Sequence, residues 1–490
     1  MSGKKLTIGV IGALFAALLA PGMASAAGLG ADLASRTIEL NMVWVAVACV
    51  LVFFMQAGFM FLEIGFSRMK NAGTGVMKIF VNFAICTIAW WIAGAAIAGF
   101  GNDFIGTSGW LYHFGQSVHA LDGPDTAVDG QAVMLMLYGF AFCAVSLAIV
   151  WGTTLERIKF GVYVIYAAIF GAIIYPMVAH SVWGGGLLSD VGGQPVLDFA
   201  GSSVVHLTGA VGGLAALLLL GARKGKYGPD GEPRAIPGHS MPLVGLGVMI
   251  LWIGWFGFNG GSTFGATDVG FAQVMLNTQI GAAAGVIGAV IVTYMMTKSL
   301  DVGMSGNGAI AGLVAITAPC GFIETWASPI VGLVAGVIVV LGVLFVEKYL
   351  DDPIGALSAH GMAGIWGTVS VGLFASPSLM GEGVHAGLWY SLLGQQSWGF
   401  GLGRLAVQCL AVVATFLFVF ITSYAVFFVI KKTLGLRVSE SEEDAGLDIA
   451  SHGMYGYPEA FIPQPEFPYG DFTPTMAGTP VAPLETTEKV

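Results

Sequence analysis

The chain has 490 residues, of which 56% are hydrophobic and only 10% are charged, and its formal net charge is −10. About a quarter of the residues of a water-soluble globular protein are charged, so this composition excludes a soluble fold, a nucleic-acid binder, a disulfide-rich secreted protein and a disordered chain. The mean hydropathy of +0.82 and the many apolar stretches of about 20 residues predict an all-α protein that crosses a membrane several times.

The first predicted element is a cleavable signal peptide at residues 1–26. Lys4 and Lys5 precede an apolar stretch, and residues 24–26 form the small-residue sequence Ala-Ser-Ala. This three-part pattern is typical of a secretory signal. Cleavage would place the new N-terminus outside the cytoplasm, and the alternative is a twelfth, uncleaved helix.

Eleven apolar spans follow and define a predicted membrane domain at residues 27–435, because each is long enough to cross a membrane as a helix. They cover residues 42–66, 77–100, 131–152, 161–183, 199–222, 241–261, 271–297, 303–321, 327–347, 354–375 and 404–430. Residues 436–490 form a predicted cytoplasmic tail. It begins with an acidic run and becomes rich in Pro and Thr, which predicts disorder after about residue 458.

Positive charge is concentrated in alternate loops. Most of the 19 Lys and Arg residues follow an odd-numbered span, as Arg68 and Arg157 do, whereas the opposite loops contain Arg404 and, near the N-terminus, Arg36. The positive-inside rule therefore predicts a cytoplasmic C-terminus and an N-terminus outside. The loop at 101–130 contains aspartates and no Lys or Arg, so it either attracts small cations or is merely solvated.

Ionisable side chains inside the spans are rare, and each is a functional candidate because burying a charge in a membrane is costly. Glu63 lies near the inner end of the first span, and we interpret it as structural, with Arg68 or Lys70 as its counter-charge. His206 and His360 are the two histidines well inside spans.

The two histidines have matching surroundings, because small residues recur three and seven positions after each of them. On a helix these positions share or flank the face of the histidine. One histidine lies in the fifth span and the other in the tenth, which predicts two five-helix halves in inverted orientation plus one extra helix. Inverted repeats place the transport site near the midplane. Neutral imidazoles there would offer polar atoms to a permeant, and the alternative is two unrelated buried histidines.

The sequence predicts no enzyme, no cofactor and no metal site. The spans contain no further cluster of His, Cys or carboxylate side chains near the two histidines. Trp183 and Trp255 lie near predicted outer ends beside hydroxyl groups. Their rings could bind a small cation, or they could be ordinary interfacial tryptophans.

Six motifs in the same order make the chain resemble the ammonium transporter (Amt/Mep) family over about residues 40–455. They are Phe142 with Glu156-Arg157-Ile158-Lys159-Phe160, His180 to Leu188, Asp198 to Gly201 with Val204-Val205-His206, Gly254 to Ser262, Asp351-Asp352-Pro353 through His360-Gly361, and Gly446 to Ile449 with His452-Gly453.

The resemblance implies an outer site that recruits ammonium, formed by Trp183, Phe142 and Ser262 with Asp198 below it. Asp198 also precedes a span and could be a helix N-cap, and the two roles are compatible. Phe142 and Phe258 resemble the stacked rings of the family's gate.

Within the pore, the resemblance matches His206 and His360 to the family's twin-histidine pair. Tyr138 departs from the family, because a second vestibule Phe stands there in other members, and Gly355 replaces an acidic residue of some members. These departures leave transport as the expectation and put affinity and rate in doubt.

The resemblance therefore implies a transporter that recruits ammonium, removes its proton and conducts ammonia past the histidine pair. It also implies a homotrimer with one pore per subunit in the plasma membrane (the bacterial inner membrane), in contact with lipid and not with nucleic acid. A PII-type signal protein is an expected partner on the cytoplasmic face. The alternative function is an ammonium sensor that signals through its tail and inner loops.

Overall fold

The computed structural model describes residues 26–112, 124–267 and 270–461. The predicted signal peptide, apart from Ala26, lies outside these ranges, as does the tail beyond residue 461. No β-strand forms within the three ranges, so the prediction of an all-α fold is confirmed.

Nine helices among the described residues are long and apolar enough to cross a membrane, and two shorter helices lie where the eighth and tenth spans are predicted. The long helices are α1 (Arg36–Phe66), α2 (Met69–Ala98), α3 (Ala132–Thr153), α4 (Phe160–Trp183), α5 (Ser202–Leu220), α6 (Met241–Thr263), α7 (Gly270–Thr297), α9 (Thr325–Val346) and α11 (Trp398–Thr433). The shorter ones are α8 (Val302–Thr317) and α10 (Ala363–Phe374).

Two helices extend beyond the apolar spans that predict them. The first helix runs from Ala26 to Phe66, and the third from Pro124 to Thr153. Hydropathy marks only the part of a helix that suits a bilayer, whereas backbone hydrogen bonding continues into the polar residues beside it. Residues 124–130 of the predicted loop at 101–130 are therefore helical.

Polar residues between the apolar runs start several helices. Ser240 accepts a hydrogen bond from the N–H of Leu243 at the start of α6, and Asp301 accepts one from Met304 at the start of α8. Such N-caps satisfy N–H groups that have no partner inside the helix. The chain therefore begins helices at the polar breaks that also delimit the predicted spans.

Glycines let α7 pack against both α8 and α9 at close range. A Cβ on Gly285 would collide with the carbonyl oxygen of Gly308, and one on Gly336 would collide with the carbonyl oxygen of Gly285. A Cβ on Gly209 would likewise collide with the carbonyl oxygen of Ser146. Small residues allow membrane helices this close approach.

The helix bundle has two chemically different ends. At the basic end, which we define by Arg68, Arg157, Arg223 and Arg437, the loops after α1, α3 and α5 meet the segment after α11. The aromatic end, at the other extreme of α4, carries Trp183. Loops that the charge pattern assigns to one side of the membrane thus lie on one side of the structure.

The first part of the predicted tail is folded against the basic end. Helices α12 (Glu440–Ala445) and α13 (Leu447–His452) follow α11 directly. Asp448 is buried and accepts hydrogen bonds from the N–H groups of Gly73 and Thr74 at the start of α2. The tail is therefore an integral part of the fold up to this helix.

Candidate functional site

The two predicted pore histidines lie side by side in the middle of the bundle. The Nδ1 atoms of His206 and His360 are 3.2 Å apart, and the rings are nearly parallel with centroids 5.3 Å apart. Both side chains are buried. At this distance one Nδ1 donates the hydrogen and the other accepts it, which leaves Nε2 of His206 without a partner.

Both histidines sit on a short π-helical segment at the start of a helix. These segments are Ser202–Leu207 and Leu357–Met362. A π-helical turn is rare and often marks a functional position. Local sequence does not reveal this feature, although the matched histidine surroundings point to the same two places.

Asp198 holds the first of these segments in place. Its carboxylate is buried and accepts five hydrogen bonds, which neutralise the positive end of the helix. The donors are the N–H groups of Gly201, Ser202, Ser203 and Val204 and the hydroxyl of Ser203. The carboxylate therefore has the geometry of the helix cap that the sequence allows.

Aromatic rings form a series from the aromatic end to the histidines. Trp183 is 37% exposed, and its ring centroid lies 6.3 Å from that of Phe142. Phe142 stacks on Phe258 at 3.9 Å with an angle of 12°, and Phe258 lies 5.4 Å from His206. These rings, which are predicted to form an outer site and a gate, thus follow one another in space and end beside the histidine pair.

Hydroxyl groups line the same region. The Ser262 hydroxyl donates to the carbonyl oxygen of Phe258 at 2.8 Å, and the Tyr138 hydroxyl lies 3.3 Å from Ser262 Oγ. Trp183 donates its indole N–H to the carbonyl oxygen of Asp198 at 2.8 Å. Asp198 therefore supports both the exposed Trp183 and the segment that carries His206.

The sequence suggested that Trp255 lies at the outer mouth, but the structure places it elsewhere. Its side chain is fully buried and stacks on His206 with centroids 5.1 Å apart, while its N–H donates to Thr317. The π-helical segment Phe256–Gly260 follows it directly. The spacing of Trp255 and Phe258, three positions apart on one helix, is the signal that could have placed both rings beside the histidine.

A cavity of about 360 Å³ opens at the basic end. Its lining includes Arg223, Asp301, Glu347, Asp352, Ile354 and Ser358. Ser358 lies two residues before His360, so the cavity extends to the segment that carries the second histidine. The structure thus has a polar recess on the side of the histidine pair opposite to the aromatic rings.

Buried ion pairs frame this recess. Arg223 binds Asp351 through Nε and Nη2 at 2.9 and 2.8 Å, and Arg68 binds Glu156 at 2.6 Å. Burial alone would raise the pKa of Asp351, but the hydrogen bonds from Arg223 and the charges of Arg157 and Arg223 lower it to about 2. The same balance, with Arg223 and Arg68 outweighing burial, lowers the pKa of Glu156.

The predicted counter-charge of Glu63 is wrong. Arg68 pairs with Glu156, and Lys70 donates to the tail carbonyl oxygens of Glu443 and Asp444. Both candidate cations are close to Glu63 in sequence, but the turn after α1 directs them toward other loops. The cation next to Glu63 in the bundle is on α2 instead.

Within the described ranges, no three His, Cys, Asp or Glu side chains lie close enough to hold a metal ion. The arrangement therefore offers ring faces, hydroxyl groups and a pair of imidazoles. These groups can attract a small cation at the mouth and hydrogen-bond to a small neutral molecule deeper inside.

A model of the Ammonium Transporter Family matches residues 43–457. Among curated proteins, ammonium transporter Amt2 of Archaeoglobus fulgidus is 41% identical over 469 residues, covering 93% of this chain and 97% of the relative. The ammonium transporter of Bacillus subtilis is 34% identical over 414 residues, covering 84% and 96%.

Solved structures are similar over most of the chain as well. A structure named Sensor Amt Protein has a TM-score of 0.76 and 32% identity, covering 85% of this chain and 99% of that one. Mep2 of Candida albicans has a TM-score of 0.72 and 27% identity, covering 82% and 87%.

Proposed function

Because the chain belongs to the ammonium transporter family, we propose that it recruits ammonium at Trp183, removes a proton there and conducts ammonia past His206 and His360. The observation that carries the proposal is the unbroken series of rings from Trp183 through Phe142 and Phe258 to the histidine pair. Relatives of this chain are named transporters, and we assign it transport rather than enzymatic catalysis.

Recruitment at the mouth rests on ring faces and one hydroxyl. The faces of Trp183 and Phe142 attract a cation through the negative centre of the ring quadrupole. Ser262 Oγ donates its own hydrogen to a carbonyl oxygen, so its lone pairs can accept an N–H of ammonium. Asp198 contributes indirectly, because its carboxylate is used within the protein. A direct contact of that carboxylate with ammonium stays a prediction.

Deprotonation follows from the stacked gate. Phe142 and Phe258 are 3.9 Å apart, so a permeant must displace them and lose its hydration shell. A dehydrated ion in an apolar path is costly, whereas ammonia is neutral. Ammonium therefore gives its proton to water on the outer side, and ammonia passes the rings to the unpartnered Nε2 of His206.

The topology that we propose has eleven spans, with the shorter helices α8 and α10 crossing the membrane alongside the nine long ones. The two histidine segments then occupy equivalent positions in two inverted halves. The protein lies in the plasma membrane, and its basic end faces the cytoplasm, in agreement with the positive-inside rule. The functional unit is a homotrimer, and a PII-type protein is a candidate partner for the basic end.

The test is ammonium uptake into liposomes that contain His206→Leu or His360→Leu. Losing one buried hydrogen-bonding group costs about 1–3 kcal/mol, so we expect flux to fall about tenfold or more. His385→Leu removes an imidazole from an aromatic-end loop and serves as the control. Wild-type flux and selectivity in both pore variants would exclude the conduit proposed here.

Sensing is the second candidate, because the chain is similar to a structure named Sensor Amt Protein and its tail is folded against the basic end. The names of its curated relatives favour transport. Ammonium flux of the intact protein in liposomes separates the two functions, because a transporter conducts without a cytoplasmic partner, whereas a protein that only senses ammonium gives no flux.

A further inference from the structure

A second buried polar cluster lies between α1, α2 and α4, apart from the histidine pair. Glu63 is 0% exposed, Lys78 is 1% exposed and Tyr163 is 0% exposed. Among the ion pairs within 4.0 Å in the described part of the chain, none joins Glu63 to Lys78. Glu63 and Lys78 interact electrostatically, so two groups of opposite formal charge are buried in the membrane domain without forming an ion pair.

The polar atoms of this cluster have no hydrogen-bond partner in the protein. They are both carboxylate oxygens of Glu63, Nζ of Lys78 and the hydroxyl of Tyr163. Buried polar groups are almost always hydrogen-bonded, to water where protein partners are absent. An unpartnered buried charge is especially costly, so these four unpartnered atoms require a ligand that both donates and accepts.

Neighbouring contacts fix the walls of the cluster. Lys78 Nζ lies 4.7 Å from the centre of the Tyr163 ring, and that ring stacks on Trp151. Trp151 donates its N–H to Asn82, which in turn donates to Gln56 at 3.0 Å. Because these side chains hold one another, Lys78 is held over the tyrosine ring rather than against Glu63.

Moving a proton from Lys78 to Glu63 would not satisfy the site. The transfer would give a neutral amine and a neutral carboxylic acid, and it would remove both charges. The same oxygen and nitrogen atoms would still lack partners, since neither group contacts the other. A bridging molecule is required in either protonation state.

The cluster is separate from the proposed ammonia path but shares a wall with it. Phe59 lies one helical turn before Glu63, and its ring is 6.1 Å from that of His360. A Cβ on Gly152 would meet Ile354, which lines the cavity at the basic end, and would lie 3.7 Å from Oε1 of Glu63. Glu63 therefore lies behind the inner wall of the pore.

We infer that Glu63, Lys78 and Tyr163 enclose a buried water cluster that bridges the two charges inside the membrane domain. Water fits the donor and acceptor set, because it accepts from the ammonium and the phenol and donates to the carboxylate. A small cation does not fit, since Lys78 would repel it. The inference is independent of which molecule the pore conducts.

Radiolytic hydroxyl labelling of the intact protein in membranes tests for the water directly, because side chains beside bound water are labelled even when they are buried. Tyr166 provides the matched comparison: it is equally buried on the same helix, but its hydroxyl contacts Ser423 Oγ at 2.8 Å. We expect Tyr163 to be labelled several times faster than Tyr166. Equal protection of the two tyrosines would overturn the inference.

A double-mutant cycle tests whether the site is a bridged charge pair. Glu63→Gln or Lys78→Met alone leaves one buried charge with no counter-charge, so each single variant should lower the melting temperature in detergent. The double variant should recover at least half of that loss. A double variant as unstable as the two single losses combined would contradict a coupled pair.

The exposed pair Arg36 and Glu39, with nitrogen and oxygen 3.4 Å apart, supplies the control for this cycle. Both side chains are at least half exposed, and exposed pairs contribute little to stability. We expect Arg36→Met, Glu39→Gln and their combination to leave the melting temperature nearly unchanged. A loss equal to that of Glu63→Gln would show that burial of the charge is not the cause, and the inference would fail.

Discussion

At the scale of single residues, Asp198 shows how one side chain can support a whole path. Its carboxylate caps the segment that carries His206, and its carbonyl oxygen holds Trp183. A buried carboxylate is acceptable here because every oxygen is hydrogen-bonded and the helix end is positive. The residue that the resemblance places below the outer site therefore holds both Trp183 and the histidine segment in position.

Replacing Asp198 with Asn should destabilise the protein by about 2–3 kcal/mol. The amide keeps one acceptor oxygen, but its NH₂ group would face N–H donors that the carboxylate satisfies. Thermal unfolding in detergent measures the loss, and Asp190→Asn, in an exposed loop, is the control. Full stability together with lost ammonium uptake would indicate a direct role in binding instead of a cap.

At the scale of elements, α13 of the tail closes the basic end of α2. The Asp448 carboxylate accepts hydrogen bonds from the N–H groups of Gly73, Thr74 and Gly456 and from the Thr74 hydroxyl. Glu443 on α12 is likewise buried and binds Arg437 at 2.6 Å. The contacts of Asp448 with Gly73 and Thr74 join segments more than 350 residues apart in sequence, so tail docking is a property of the assembled bundle.

Asp448→Asn should release the tail, because the amide replaces one acceptor with a donor that faces N–H groups. We expect the tail to become sensitive to limited proteolysis in membranes, with a docking loss of about 1–3 kcal/mol. Glu459→Gln, in the exposed helix Pro458–Phe461, is the control. If the tail of the Asp448 variant resists protease as the wild type does, other contacts hold α13 in place.

Acid should weaken the same end of the bundle through Asp351. Folding lowers the pKa of this carboxyl from its ordinary value of 3.8 to about 2, so the folded state favours the ionised form. The resulting stabilisation of about 2 kcal/mol is present above about pH 4 and is lost as the pH falls toward about 2. Burial of Asp351 protects the ion pair from screening by solvent.

Asp351→Asn should therefore unfold more readily than the wild type near neutral pH, and the difference should shrink as the pH falls through that range. Unfolding in detergent, followed at several pH values, measures this gap. Glu382→Gln, in an exposed loop of the aromatic end, should show no such trend. A gap that stays constant with pH would assign the loss to packing rather than to ionisation.

At the scale of the whole molecule, the distribution of charge predicts orientation. Glu232 is exposed in the loop between α5 and α6 at the basic end, and Glu382 is exposed between α10 and α11 at the aromatic end. With Cys409→Ser as the background, Glu382→Cys should react with a membrane-impermeant thiol reagent in intact cells. Glu232→Cys should react only after lysis, and the opposite pattern would reverse the proposed topology.

The Cys409→Ser background suits this labelling experiment because the other four cysteines are buried.

The purified protein also tests the expected oligomer, since native mass measurement distinguishes a subunit of about 50.8 kDa from an assembly three times as heavy. A monomeric mass together with full ammonium uptake would show that transport does not require a trimer.

Much of the architecture was predictable from the sequence because hydropathy and helix length are local properties. The nine long helices coincide with predicted spans, and the resemblance groups Phe142, Phe258, His206 and His360, whose rings lie next to one another in the structure. The charge pattern also grouped loops that meet in the structure. Each of these inferences depends on residue type and spacing along the chain.

Only the tertiary structure decided which groups meet. Glu63 lies five residues from Arg68, yet that arginine binds Glu156, and Lys78 approaches the Glu63 cluster from α2. Trp255, expected at the mouth, packs on His206. The physical reason is that spans are specified by the polarity of contiguous residues, whereas an ion pair or a ring stack depends on how distant helices pack, and no local pattern contains that packing.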